Sequence, residues 1–63
     1  MIEEFFNKYC TVVDKSDKIY EGYIVGREYN LKTKETLGIF IEIEGKNEYV
    51  SVSEIKSIIS MNK

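Results

Sequence analysis

This chain of 63 residues has no histidine, no proline, no tryptophan and no alanine, and a single cysteine. Without histidine, a hydroxyl nucleophile needs a lysine or a carboxylate as its base. The five serines, Ser16, Ser51, Ser53, Ser57 and Ser60, occur in no nucleophile motif. No enzymatic activity is expected. One cysteine can neither close an internal disulfide nor furnish a soft-ligand metal site, so the usual staples of very small folds are missing. No Asp-rich loop of calcium-binding type occurs either, and neither a metal nor a cofactor is expected. Cys10 itself is expected in the core as an unreactive thiol. No apolar run approaches spanning length, and the opening Met1-Ile2-Glu3-Glu4 has acids where a secretory signal has Lys or Arg. The expectation is a cytoplasmic chain with no membrane contact. Charge of one sign is also lacking: 9 Lys plus Arg stand against 11 Asp plus Glu, for a net charge of −2. The phosphate-neutralising affinity of a broadly basic protein is therefore small.

What is present is 43% hydrophobic residues and a high count of tyrosine, five in all. The length allows one domain, residues 1–63, and a chain this small buries only roughly 60% of the surface its unfolded form exposes. Ordering costs of about 1.5 kcal/mol per residue leave little net stability, so self-association is expected. From the abundance of Ile, Lys, Asn and Tyr with no Ala, an AT-rich bacterial or mobile-element source is the expectation.

Ile2, Phe5, Phe6 and Tyr9 fall at helical spacing, and Glu3, Glu4 and Lys8 suit the dipole, so the sequence predicts a short α-helix over 2–9. From Cys10 the pattern changes to alternation of β-branched and aromatic residues between polar turns, which predicts five strands. These are Cys10 to Asp14, Ile19 to about Tyr29, Leu37 to Glu44, Tyr49 to Val52 and Lys56 to Met61. The hairpin turn is expected at Gly45-Lys46-Asn47, and a one-turn break at Ser53-Glu54-Ile55. Along the third strand Leu37, Ile39, Ile41 and Ile43 are expected to face one way. The second strand is long, with Gly22 and Gly26 four apart, which predicts a strand curled so as to serve two sheets of a small barrel. The expected fold is mainly β: an N-terminal helix and a five-stranded, strongly bent antiparallel barrel.

The stretch Asp17-Lys18-Ile19-Tyr20-Glu21-Gly22-Tyr23-Ile24-Val25-Gly26-Arg27-Glu28-Tyr29-Asn30-Leu31 is similar to the first motif of the Sm-like family, the SH3-type small barrels of the Sm, Lsm and Hfq proteins. Tyr20, Gly22, Ile24, Gly26, Glu28 and Asn30-Leu31 take the motif's places. Tyr49 to Ile59 keeps the strand, turn, strand shape of the second motif but lacks its RNA-reading Arg or His. The resemblance implies an Sm-like barrel, a base-contacting role for Asn30, and homo-oligomers built by pairing strand four of one copy with strand five of the next.

Two functions follow as expectations. The first is a self-assembling binding module that contacts single-stranded RNA through Arg27, Tyr29, Asn30, Lys32 and Lys34, which interleave cations with an aromatic and an amide. The second is a protein-interaction adaptor or inhibitor of phage or mobile-element type. Both faces of the second strand carry apolar groups, so one of them must meet something beyond the barrel interior. Its interface residues are expected to be Tyr23, Val25, Tyr49, Val50 and Ile58. The carboxylate pairs Glu3-Glu4 and Glu42 with Glu44 are explained by the helix dipole and by the wet side of a strand.

Overall fold

A computed structural model describes residues 2–61. Five antiparallel strands, β1 (Tyr9–Asp14), β2 (Ile19–Tyr29), β3 (Thr36–Ile43), β4 (Lys46–Ser51) and β5 (Ile55–Ser60), form one sheet in the order β4-β3-β2-β1-β5. The sheet is unclosed: β4 and β5 are its outer strands. Among the described residues no helix is long and apolar enough to cross a membrane.

β2 divides its hydrogen bonding. Ile19 to Tyr23 pair with β1, while Tyr23 to Tyr29 pair with β3, so Tyr23 alone belongs to both ladders. Two three-stranded halves therefore share one strand. Cys10, Val12 and Tyr20 from one half and Ile24, Ile39, Ile41 and Val50 from the other join a single buried cluster, which requires the sheet to curl onto itself. The two glycines contribute differently. A Cβ on Gly22 would overlap the Glu42 carbonyl of β3, so Gly22 permits close backbone approach. Gly26 lies where the β2–β3 register slips, a bulge that leaves Val25 unpaired.

The expected α-helix over 2–9 is instead a 3-10 turn, Ile2–Phe5. A helix of eight residues does not recover its nucleation cost alone, and here tertiary bonds claim the backbone first. Asn7 turns the chain at φ 65°, its N–H donates to the Ile24 carbonyl (2.9 Å), and the Ile24 N–H donates to the Lys8 carbonyl (3.2 Å). Ile2, Phe5 and Phe6 still pack on the core, but Tyr9 opens β1 and stands exposed. Cys10 is fully buried as expected, and that burial pushes its thiol pKa up.

Strand boundaries also shift, and one expected inward residue changes face. The β3–β4 hairpin turns on Glu44 and Gly45, both at positive φ, rather than on Gly45-Lys46-Asn47; Lys46 already pairs with Ile43. Leu37 is 41% exposed, because a register slip opposite Glu28 and Tyr29 interrupts the alternation that Ile39 and Ile41 obey. Val52 starts a second 3-10 turn (Val52–Glu54) and β5 begins at Ile55, one residue early.

Candidate functional site

The loop between β2 and β3 is held by its own polar groups. Asn30 Oδ1 accepts hydrogen bonds from the backbone N–H of Lys32 (2.8 Å) and of Thr33 (3.0 Å), and the Asn30 carbonyl accepts from the Lys34 N–H (2.7 Å). Lys34 itself adopts φ 66°. The Arg27 side chain underpins this turn: its guanidinium donates to the Lys34 carbonyl (3.2 Å) and to Thr36 Oγ1 (2.9 Å). Thr36 in turn donates to Glu3 Oε2 (2.9 Å), tying the N-terminal turn to the loop. The Glu3 carboxyl is held below its ordinary pKa, first by a bond to its own backbone N–H and then by Thr36. The guanidinium also lies 4.2 Å from the Tyr29 ring centroid, and Lys34 Nζ lies 5.6 Å from the same ring.

Four of the five expected RNA-contacting residues therefore meet, but Arg27 and Asn30 spend their polar atoms inside the loop. Lys32 projects from it, next to Leu31, which is 77% exposed. Arg27→Lys should cost about 1–2 kcal/mol, the worth of two hydrogen bonds and a flat stack that lysine cannot reproduce. Urea denaturation would give that loss, and amide exchange across 30–35 should quicken; unchanged exchange would mean that Arg27 does not hold the loop.

Of the expected interface residues, Tyr23 and Val25 are exposed. Val50 is not available: it is 3% exposed, within the core, because β4 directs it inward against Ile39. Ile58 is half-buried against the same core. Tyr49 is exposed on one side, but its ring covers Gly38 and its hydroxyl donates to Glu28 Oε1 at 2.6 Å. That bond raises the Tyr49 pKa.

On the outer face of β2, alternation leaves Ile19, Glu21 and Tyr23 in solvent while Tyr20, Gly22 and Ile24 turn inward. Tyr9 lies directly across from Tyr23 on β1, and Glu42 directly across on β3, so one row crosses three strands. The two tyrosine rings meet edge to face, 5.2 Å apart at 77°. With Ile19 and Ile43 they line an open groove of about 500 Å³. Glu21, Glu42 and Glu44 border it, and among the described residues no lysine or arginine lines it. Glu21 accepts a hydrogen bond from Thr11 Oγ1 (3.2 Å). Among the described residues the single ion pair, Lys56 with Asp17, is elsewhere, and none of the groove's carboxylates is ion-paired with them. A concave surface of this composition suits a cation carried on an apolar stem.

Sequence reasoning singled out Tyr23 and missed Tyr9, because assignment to a helix turned that ring toward the core. The available signal was the odd-numbered series Ile19, Glu21, Tyr23, whose mixed character marks a solvent face that is unusually apolar. Among the described residues no group of three or more Cys, Asp or Glu is placed to hold a metal ion. No protein-family model, no curated protein and no solved structure matches this chain.

Proposed function

We propose that this chain is a non-catalytic binding module of Sm-like, SH3-like barrel type, and that its ligand is a protein segment that is cationic and partly apolar. The observation that carries the reading is the groove of Tyr9 and Tyr23, bordered by three glutamates that form no ion pair among the described residues. Its tyrosines offer contact area at low entropic cost, and its carboxylates select the sign of the partner. The Sm-like part of the proposal is supported by the turn at the N-terminus and by the long second strand that serves both halves of the sheet. The unpaired outer strands β4 and β5 are available for edge pairing between copies.

A second reading, contact with single-stranded RNA at the β2–β3 loop, is favoured by the stack of Arg27 and Lys34 on Tyr29, which is 39% exposed. Against it, the loop's best hydrogen-bonding groups are already engaged and the chain carries a net charge of −2.

One titration separates the two. The isotope-labelled protein is followed by amide resonances against an alternating Lys–Leu peptide, its Glu–Leu counterpart and oligouridine. The Lys–Leu peptide should shift Tyr9, Tyr23 and Glu42 with a dissociation constant of about 0.1–1 mM, as fits a contact well below standard interface size. The Glu–Leu peptide should shift nothing. Equal response to both peptides, or to neither, would remove the protein reading. Shifts by oligouridine confined to residues 29–34 and abolished by salt would move the function to RNA.

A further inference from the structure

The groove has a counterpart on the same molecule. At the tip of the β2–β3 loop, Leu31 is 77% exposed and is followed by Lys32 and Lys34, an apolar group with cations beside it. This tip is rigid: Asn30 Oδ1 takes two backbone N–H groups, and the Asn30 N–H reaches the Glu35 carbonyl at 2.9 Å. Among the described residues Leu31 belongs neither to the buried cluster nor to the groups packed against it, and the loop holds it out in water. The ordering cost of a ligand loop is thus already met before any contact forms.

The loop cannot reach the groove of its own chain. Tyr23, in the groove, and Tyr29, at the base of the loop, lie six residues apart along bulged β2, at most about 20 Å at 3.3 Å per residue, and the Asn30–Glu35 bond closes the loop at that far end. Groove and loop lie at opposite ends of the β2–β3 hairpin, in a molecule whose longest extent is 33 Å. That placement is head to tail.

We propose that the occupant of the groove is the Leu31–Lys34 loop of a second copy of this chain. Leu31 enters between Tyr9, Tyr23 and Ile43, and Lys32 and Lys34 meet Glu42 and Glu44. The contact is heterologous, so each copy keeps a free loop at one end and a free groove at the other, and association continues into a ring or a short filament. It differs from pairing of the β4 and β5 edges, which uses neither the loop nor the groove. The inference rests on the reading of the groove as a site for a cationic, partly apolar segment, and names that segment.

The test uses light scattering on gel-filtered protein across concentrations up to about 1 mM, the range in which a contact this small is populated. The loop variant carries Lys32→Glu with Lys34→Glu; the groove variant carries Glu42→Lys with Glu44→Lys. All four side chains are exposed, so both variants should fold. The wild-type mass should rise with concentration, and each variant alone should stay monomeric. Mixed one to one, the two variants are complementary in both directions, and association should return. Leu31→Ser should weaken the wild-type association at least tenfold. The inference is overturned if the wild type remains monomeric throughout, if either variant keeps the wild-type mass, or if the mixture is no larger than its parts. The amide titration then distinguishes the failures: a Lys–Leu peptide that still shifts Tyr9 and Tyr23 leaves the groove reading intact with a different partner, and silence there removes both.

Discussion

Gly22→Ala should leave the chain largely unfolded at 25 °C. The demand at this position is for space, not for unusual dihedrals, since its φ lies outside the left-handed range. A Cβ there would overlap the Glu42 carbonyl oxygen, with Glu42 C at 3.0 Å and Ile41 Cγ2 at 3.1 Å. The first two are backbone, fixed by the pairing of Glu42 with Tyr23 and with Asn47, so neither can swing aside as a side-chain end would. Relief requires β3 to move off β2 at the residue where the two halves of the sheet meet, and that withdraws Ile41 from the core. Overpacking of this kind costs about 3 kcal/mol or more. A chain of this length has only about 3–9 kcal/mol in all. Gly26→Ala is the control, because a Cβ there meets nothing nearer than Phe40 Cδ2 at 3.8 Å; it should change stability by no more than about 0.5 kcal/mol. Far-ultraviolet circular dichroism with urea titration reads both. A Gly22→Ala protein that melts within a few degrees of wild type would mean that close approach at the crossing point is not what shapes this sheet.

Ile24→Ala should lower the unfolding free energy by about 2–5 kcal/mol, the range for a large aliphatic group removed from a packed core. Ile24 is fully buried and lies one residue beyond the crossing point. Its backbone carries both bonds that anchor Asn7 and Lys8, so the cavity opens near the N-terminal turn, whose Phe5 and Phe6 pack against the same core. Loss of cooperativity should therefore start at residues 2–8, seen as early proteolysis there. Ile59→Ala, at a position 59% exposed, removes a similar side chain at a cost of no more than about 0.5 kcal/mol. Similar urea midpoints for the two variants would show that Ile24 is not a keystone of the core.

Much of the architecture was legible in the chain. β2 runs from Ile19 to Tyr29 as its alternation predicts, and Val12, Tyr20, Ile24, Ile39 and Ile41 are buried as the period of two requires, as is Val50, a residue expected at an interface. The role of Gly22 and Gly26 was readable because a glycine inside a β-branched strand forfeits side-chain packing, a loss a strand bears mainly where it bends or where another backbone comes close. The N-terminal segment misled, since Ile2, Phe5 and Phe6 satisfy one turn of any helix and the pattern cannot say how many turns follow. Leu37 misled for a related reason: a bulge moves a residue from one face to the other without leaving a mark in the alternation. As to the candidate site, Arg27, Tyr29 and Lys34 were identified as a cluster, but not that Arg27 and Asn30 are spent on the loop itself. Tyr9 was missed altogether, and with it the groove.

The sequence by itself determined the alternating core, the strand count and the need for a curl, because these depend on side-chain character and on steric rules that act within a few residues. Only the tertiary structure decided which strands are neighbours, that Tyr9, Tyr23 and Glu42 form one row, and that an exposed leucine and an acidic groove lie at opposite ends of the β2–β3 hairpin. Those are matters of register between segments distant in the chain. A shift of one residue would put every one of these side chains on the opposite face, and the hydrogen bonds that set the register, from Asn7 to Ile24 and across Tyr23, join residues far apart in the chain.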